Sequence, residues 1–317
     1  MDQFLRTYTL YISGPKYPVY GNNITSAREI SDPISIKFEL HKSVLNDANF
    51  GEITLYNLSP DTEKEIIQQG SEVVLEAGYK DNKGIIFKGQ LFQPIRGKSN
   101  NLDYYLKLIV IDGDSFINLT WDSETIPANS TKRQLAEQIL RSSGNIDTGN
   151  INNLPNYNYI DGSEPVTERA KVIFGPPAKY LNDLAKMGNS TFHVDEGQAS
   201  FFNPMDKDRV NSHIINKDTG MIGLPQQVDN GIEVKVLLNP SIKLGDMIKI
   251  DNKSVQIKEY SYGQVPYLLD SDGLYRIIKI DYTGESRGQS WYTKIKAISQ
   301  NGFTPDMMVK QFGEFIG

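Results

Sequence analysis

The histidines are the first residues to weigh as catalysts or metal ligands. His41, His193 and His213 are far apart in the sequence, and none stands in an H-E-x-x-H pattern or another metal-motif spacing. His193 lies just before Asp195 and Glu196, but an Asp-Glu-Gly hairpin turn accounts for those acids more simply. We therefore expect surface or turn positions for all three histidines and no bound metal.

Nucleophile and phosphate motifs are absent from the sequence. The chain has no Cys, which excludes a thiolate nucleophile, a thiolate zinc site and a disulfide scaffold. It also has no G-x-S-x-G elbow and no P-loop, and the Gly-rich run at 284–288 lies between predicted strands, where it is typical of a β-turn. The sequence predicts no cofactor and no enzyme activity of these kinds.

Carboxylates are plentiful, and glycoside cleavage needs two of them about 5–9.5 Å apart in a cleft. Asp112 and Asp114 flank Gly113 and form the nearest cluster, for which a loop at a strand end is the simpler explanation. A second acidic group could be read as a cation-binding face: Asp47, Asp61, Glu63 and Glu65. The first turn of a capped helix accounts for the last three of these acids.

Trp291 and Tyr292 could together stack on bases or sugars. They are neighbours in a predicted strand, where alternation puts one side chain inward and the other outward, and we interpret Trp291 as a core residue. Gly70 and Gly245 each precede a predicted strand. We hypothesise that each allows a backbone turn that a Cβ would strain.

Composition sets the broad class. The chain has 317 residues, enough for two or three domains, and its hydrophobic content of 38% is ordinary for a globular protein. The net charge of -6 argues against a protein that grips nucleic-acid phosphates, although DNA could pass it without binding. No apolar run is long enough to span a bilayer, and the N-terminus lacks the pattern of a secretion signal.

Hydrophobic periodicity predicts a mainly β chain with a helical middle. Residues 6–12 and 34–40 alternate strictly, and further strands are predicted at 52–56, 72–79, 84–95 and 103–112. Ser59 and Pro60 predict a short helix up to residue 69. The middle has helices at 132–143 and 177–187 and a hairpin at 191–203, around a long loop at 145–167. Strands return at 231–237, 247–250, 255–260, 274–283 and 290–299.

Two stretches share a layout and suggest an internal repeat. Residues 51–79 and 231–251 each run from a strand through an Asn/Ser/Pro turn and a short connector to a Gly and a second strand. A long two-stranded segment then follows in each case. Antiparallel β proteins also share such patterns by chance, so both explanations stay open.

The sequence resembles phage baseplate hub proteins of contractile tails, and with them the hub part of type VI secretion spike proteins. The resemblance lies in FGEITLYNLSPDTEKEIIQQGSEVVLEAGYKDNKGIIFKGQ and, near the end, in LNPSIKLGDMIKI and IIKIDYTGESRGQSWYTKIKAI. It implies an α+β, mainly β fold with two tube-like antiparallel β-barrel domains and a small α+β domain between them. The implied domains are 1–120, 121–228 and 229–300, followed by a tail at 301–317.

The resemblance also implies a function. Three chains would form a homotrimer with a pseudo-six-fold ring that joins the hexameric tail tube to the central spike and lets DNA pass on ejection. The inserted domain would contact other baseplate or wedge proteins, in a virion tail baseplate assembled in the host cytoplasm without membrane insertion. The tail is a candidate for docking on a separate spike through Met308, Phe312 and Phe315, and equally for packing on its own barrel.

Two other functions are compatible with the residues. A cell-wall-glycan-degrading tail protein would need a cleft with paired acids. A carbohydrate-binding tail protein would need exposed aromatic residues clustered on one face.

Overall fold

The computed structural model describes residues 5–15, 28–45, 48–67, 71–98, 103–143, 146–148, 167–187, 190–203, 211–228, 231–256, 269 and 272–299. Gly70, Asp47 and the tail with Met308, Phe312 and Phe315 lie outside these ranges. Among the described residues, no helix is long and apolar enough to cross a membrane.

The N-terminal β region follows the predicted alternation closely. Its elements are β1 (Arg6–Pro15), β2 (Arg28–Ser31), β3 (Ser35–Ser43), β4 (Phe50–Tyr56), α1 (Pro60–Ile66), β5 (Ser71–Tyr79), β6 (Asn82–Lys98) and β7 (Tyr104–Ile111). Tyr8, Leu10 and Ile12 point into the core from β1, as their spacing predicts. Helix α1 begins as predicted, because the Ser59 hydroxyl accepts a hydrogen bond from the Thr62 N–H at 3.2 Å.

The middle of the chain forms a small α+β layer with its own core. Its elements are a π-helical turn (Ser115–Leu119), β8 (Asp122–Ile126), α2 (Lys132–Ser143), β9 (Asp147–Thr148), β10 (Lys171–Gly175), α3 (Pro177–Lys186), β11 (Thr191–Asp195) and β12 (Gln198–Phe202). The predicted helices are confirmed. Leu135 and Ile139 of α2 pack with Leu181 and Leu184 of α3 in a cluster separate from the main core.

The C-terminal β region returns to the large sheet. Its elements are β13 (Ser212–Ile214), β14 (Met221–Val228), β15 (Gly231–Leu237), β16 (Met247–Lys249), a 3-10 turn (Asn252–Ser254), β17 (Leu274–Glu285) and β18 (Trp291–Ser299). The strand predicted at 255–260 is wrong in its described part, because Asp251 caps the 3-10 turn and only Gln256 makes an isolated bridge. Strands β13 and β14 fall within the range predicted for the insert but lie in the large sheet.

One 13-stranded sheet joins the two β regions. Its order is β14-β15-β18-β17-β3-β4-β7-β6-β5-β1-β2, with β16 on β17 and β13 on β16. The connection between the two regions is the antiparallel ladder of β3 with β17, from Lys37 opposite Glu285 to Ser43 opposite Lys279. A single apolar core lies against both regions, so neither buries its residues alone. The α+β, mainly β fold class is confirmed. No closed barrel forms among the described strands, and the two-barrel arrangement stays a prediction.

The two β regions share the topology of five antiparallel strands. The order β3-β4-β7-β6-β5 in the first corresponds to β14-β15-β18-β17-β16 in the second. The sixth strand differs, because β1 pairs antiparallel with β5 whereas β13 pairs parallel with β16. The register irregularities also correspond: β6 skips Phe92 opposite β7, and β17 skips Ile278 opposite β18. The layout shared by the two stretches of sequence is therefore a structural repeat.

Gly284 leaves room for the Phe38 ring on the core side of the β3–β17 ladder. It lies opposite Phe38, and a Cβ on it would overlap the Phe38 ring. That ring cannot easily move, because it packs edge-to-face on Trp291 with ring centroids 5.3 Å apart. Trp291 is buried, and its indole N–H donates to the Gly78 carbonyl at 3.0 Å.

We predict that Gly284→Ala lowers the free energy of unfolding by ~1–3 kcal/mol, because overpacking forces the Phe38–Trp291 pair apart. Urea denaturation followed by tryptophan fluorescence measures the loss. Thr283→Ala, one residue earlier on the opposite face of β17, is the control and should change stability by less than ~0.5 kcal/mol. Equal stability of both variants would show that the core has room at Gly284.

Candidate functional surfaces

The side of the sheet opposite the core carries paired charges. On β3, Lys37, Glu39 and His41 alternate with core residues, and the register places them beside the outward residues of β4 and β17. The ion pairs on this face are Lys37–Glu39 at 3.3 Å, Lys107–Glu52 at 2.7 Å, His41–Asp281 at 2.7 Å, Lys279–Asp281 at 3.5 Å and Lys294–Glu233 at 2.9 Å. We call this surface, from β15 across to β7, the paired-charge face.

The paired-charge face neutralises itself locally. Exposed pairs of this kind contribute ~0–1 kcal/mol each, so they do little for stability. Their effect is on the electrostatic potential of the face, because each carboxylate in these pairs lies within 3.5 Å of a basic group. The register also places Lys235 opposite Lys294 and Lys279 opposite Lys296. Tyr292 also lies on this face, beneath the Lys235 ammonium at 3.5 Å from the ring centroid, whereas its neighbour Trp291 points into the core.

A shallow groove on this face brings two carboxylates together. Glu39 and Glu52 lie directly opposite each other on β3 and β4, in a cavity of ≈ 250 Å³ that Lys37 and Lys107 also line. Sequence reasoning missed this pair, because only strand register brings the two residues together. Both side chains are about half exposed, and each is paired with a lysine. Neither is the buried proton donor that glycoside cleavage needs.

A buried lysine joins the insert to the sheet. Lys42 occupies a core position on β3 and is 1% exposed. Its Nζ lies 2.6 Å from Asp195 Oδ1 and 3.1 Å from Glu196 Oε1, at the tip of the β11–β12 hairpin. Glu196 also pairs with Lys243 from the C-terminal β region. We call Lys42, Asp195, Glu196 and Lys243 the ionic joint, because they connect three segments distant in sequence.

The local backbone makes this contact possible. Glu196 and Gly197 both have positive φ, at 54° and 79°, as a tight two-residue hairpin turn requires. The Asp-Glu-Gly turn is predicted from the sequence, but no sequence pattern indicates that its acids face a buried lysine. Asn49 braces the tip, since its amide donates to the Val194 carbonyl at 2.9 Å and its side-chain oxygen accepts from the Ser43 N–H at 2.8 Å.

Electrostatics hold Lys42 and Glu196 charged at neutral pH. Burial alone would lower the pKa of Lys42, but the charges of Asp195 and Glu196 raise it well above its ordinary value. Burial alone would raise the pKa of Glu196, but Lys42 and Lys243 lower it. The lysine is thus held as a cation and the glutamate as an anion, which is the arrangement that offsets their desolvation.

Two further buried groups border the joint. Burial and the charge of Asp195 raise the pKa of Asp112 to about 7, although Lys42 opposes the shift and the Gly197 N–H donates to its carboxyl at 3.0 Å. Burial lowers the pKa of His193 to about 4, with Lys42 adding to the effect and Asp195 opposing it. Asp112 and Asp114, the nearest acidic cluster in the sequence, have different partners: Asp112 accepts from the Gly197 N–H, whereas Asp114 accepts from the Asn118 amide at 2.7 Å.

The other predicted residues are dispersed. His213 contacts Asp246 at 3.0 Å, and the same carboxylate accepts the Lys243 N–H at 3.0 Å, whereas His41 contacts Asp281. Gly245 has a φ of +81°, which an L side chain rarely adopts. The acids of α1 form ordinary surface pairs, Glu63 with Arg96 and Glu65 with Arg28, while Asp61 lies in its first turn. The described part of the chain contains no group of three or more His, Cys, Asp or Glu placed to hold a metal ion.

Solved structures identify the class of protein to which this fold belongs. The tail protein from Neisseria meningitidis MC58 is similar over 96% of this chain and 99% of its own, with a TM-score of 0.58 and 9% identity. The 43 kDa tail protein of prophage MuSo2 from Shewanella oneidensis covers 94% of this chain and 100% of its own, with a TM-score of 0.58 and 11% identity. At these identities the likeness shows the fold alone: that of phage tail proteins.

A third similar structure extends the class to secretion systems. The E. coli c3393 protein, a component of the type VI secretion system described as similar to the T4 tail proteins gp27 and gp5, matches with a TM-score of 0.51 and 12% identity. It covers 84% of this chain and 74% of its own. No curated protein matches the sequence.

The family follows from the sequence itself. The family model described as Baseplate hub gp41 matches residues 22–297, which is most of the chain. The chain therefore belongs to the Baseplate hub gp41 family, and the resemblance found in the sequence is confirmed.

We predict that Lys42→Met lowers the free energy of unfolding by about 3 kcal/mol, at the low end for a broken buried pair because Glu196 keeps Lys243. Lys37→Met on the same strand is the control and should cost less than ~1 kcal/mol, since Lys37 is exposed. Chemical denaturation compares the two. Adding Asp195→Asn to Lys42→Met should recover part of the loss, and equal losses in Lys42→Met and Lys37→Met would contradict a stabilising joint.

Asp112→Asn should make stability less sensitive to rising pH. Because the folded pKa of Asp112 is raised to about 7, its contribution is full below its ordinary value of 3.8 and is lost as the pH rises through about 7. An Asn side chain stays neutral and can still accept the Gly197 N–H. Between pH 5 and pH 8, the free energy of unfolding of the variant should therefore rise relative to that of the wild type, by at most ~1.4 kcal/mol per unit of pKa difference. Parallel stability curves over this range would refute the shift.

Proposed function

We propose that this chain is the structural, non-enzymatic hub subunit of a contractile phage tail, and that three copies form a pseudo-six-fold ring. The observation that carries the proposal is the repeated topology of the two β regions, down to the corresponding irregularities at Phe92 and Ile278. A chain with two equivalent units lets three copies present six equivalent positions, which is what a hexameric tube requires of a three-fold partner. Each region acts as one tube-like barrel domain in that ring.

The paired-charge face lines the lumen of the ring. It is the side of the continuous sheet that the main core does not cover, and it continues across the β3–β17 connection without a break. Carboxylates lie within 3.5 Å of basic side chains on this face and compete with phosphates for them. DNA therefore slides through on ejection without specific binding.

The inserted domain faces outward and contacts other baseplate or wedge proteins. Four exposed apolar side chains cluster around the β8–β10 ribbon: Leu119, Trp121, Val172 and Phe174. Trp121 and Phe174 pack edge-to-face with centroids 5.5 Å apart, although both are about two-thirds exposed. Exposed aromatic groups of this kind are typical of protein interfaces.

The opposite end of the ring carries the spike. The similar E. coli protein resembles both gp27 and gp5, which supports a hub that works against a spike component. The tail at 301–317 provides the docking segment, with Met308, Phe312 and Phe315 at helical spacing. The site of action is the virion tail baseplate, after assembly in the host cytoplasm and without a cofactor.

The native mass of the purified protein tests the ring. Light scattering at micromolar concentration should give about 107 kDa, three times the chain mass of 35.7 kDa. If the protein alone is monomeric, the measurement is repeated with the tube and spike proteins of the same phage, which can supply the missing free energy. A chain that stays monomeric with both partners present is not a hub subunit of this kind.

A further inference from the structure

Strands β6 and β17 are equivalent, but only one has a full set of neighbours. Each pairs along its first residues with a preceding strand, β5 or β16, and then with a following strand, β7 or β18. Past its irregularity, β17 has a second neighbour, because β3 pairs with residues 279–285. Past its own irregularity, β6 pairs only with β7 among the described strands, so residues 93–98 have one open edge.

The missing neighbour also has an equivalent in the chain. Strand β3 forms a hairpin with β4, and β14 forms the corresponding hairpin with β15. Within the chain β3 reaches β17, whereas β14 is the last strand on its side of the large sheet. Among the described strands, residues 93–98 of β6 thus lack the neighbour that β3 provides for β17. Strand β14 likewise lacks the partner that β17 provides for β3.

We propose that the outer edge of β14 in one copy pairs antiparallel with residues 93–98 of β6 in a second copy. The ladder would repeat between chains the β3–β17 ladder that exists within each chain. The inference rests on the proposed ring and specifies which surfaces close it. Because β14 and β6 are different surfaces, the contact is head-to-tail, which is the kind of contact that a three-membered ring requires and a two-fold dimer does not have.

Ile278 and Phe92, the equivalent residues of β17 and β6, differ in exposure as this pairing requires. Ile278, the irregular residue of β17, is 8% exposed and packs with Val44, whose N–H donates to the Ile278 carbonyl at 3.0 Å. Phe92, its equivalent on β6, is 45% exposed. On the β14 side, Ile222 and Leu224 are also exposed. An open strand edge with exposed apolar side chains on both sides is a surface that pairs with another chain.

One contact within the chain now occupies part of the β14 edge. Gln256 receives a hydrogen bond from the Gln227 N–H at 2.9 Å and donates to the Pro225 carbonyl at 2.8 Å. This bridge consists of two hydrogen bonds, whereas the β3–β17 ladder pairs seven residues on each strand. The ladder therefore displaces the bridge when the second copy docks.

The equivalence specifies a pair of residues for cross-linking. His41 and Val228 lie opposite the first residues of β4 and β15, Phe50 and Gly231. Asp281 and Ile95 are each the third residue after the irregularity. Since His41 lies directly opposite Asp281 within the chain, Val228 of one copy should lie opposite Ile95 of the next. Directly opposed residues are at a distance that a disulfide can span.

The chain has no Cys, so an introduced pair reports only on its own contact. Under mild oxidation, Val228→Cys with Ile95→Cys should give disulfide-linked dimers and trimers on a non-reducing gel. The single variants should not. Val228→Cys with Lys83→Cys, on the part of β6 that β5 covers, is the matched negative control. His41→Cys with Asp281→Cys is the positive control and should close within one chain.

The outcomes separate this inference from the proposed function. Linked trimers from the Val228–Ile95 pair alone support the ladder. A mass of three chains by light scattering without that link overturns the ladder and leaves the ring. A monomer even with tube and spike present overturns the ring and the ladder with it.

A second variant tests the same contact without cysteine. Phe92→Ser should weaken association of the copies by about tenfold or more, as truncating a buried interface aromatic does. Met187→Ser, at an exposed apolar residue after α3, is the control and should leave the mass unchanged. Circular dichroism of both variants checks that they fold. A folded Phe92→Ser protein that associates like the wild type contradicts the proposal.

Discussion

Strand β3 is in contact with all three parts of the chain, and the arrangement of each part depends on it. Its two neighbours in the sheet, β4 and β17, belong to different β regions. Its outward residues begin the paired-charge face, and its inward Lys42 holds the hairpin tip of the insert. A ladder of backbone hydrogen bonds fixes the direction and register of β3, and the buried lysine then permits only one position for the insert. Burying that charge is costly, so its benefit lies in specifying the arrangement more than in adding stability.

Much of the fold follows from the sequence, for a physical reason. Where one face of a strand is buried, apolar and polar residues must alternate, and β1, β3, β4 and β5 show this directly. The strands that sequence reasoning missed do not alternate in this way. Strand β14 contains Gly223 and Pro225 and lies at the end of the sheet. Strands β8 and β10 form a two-stranded ribbon in which both faces of β10 are apolar, with Ile173 buried and Val172 and Phe174 exposed. Their pairing partners, and not their own residues, make them strands.

The candidate surfaces were harder to foresee than the fold. Lys42 stands at a core position of a strand, and only its tertiary partners explain a charge there. Asp195 and Glu196 satisfy a turn, so nothing local points to a second role as partners of Lys42. The facing of Glu39 and Glu52 is a consequence of register alone. Pairing across distant segments depends on the backbone ladder, and single-sequence patterns carry little information about it.

The repeat explains why one chain can need its own copies. In the proposed ring, the two units form equivalent ladders. The β3–β17 ladder closes within the chain, whereas β14 and β6 lie far apart along the path of the sheet and pair with other copies. The β3–β17 ladder has extra support, because β3 carries Lys42 of the ionic joint and Ile278 is buried beside the ladder. The proposed β14–β6 ladder has only its backbone edges and a few apolar side chains. A ring assembled in this way has firm connections within chains and weaker ones between them, so its closure depends on concentration and on the tube and spike that bind to it.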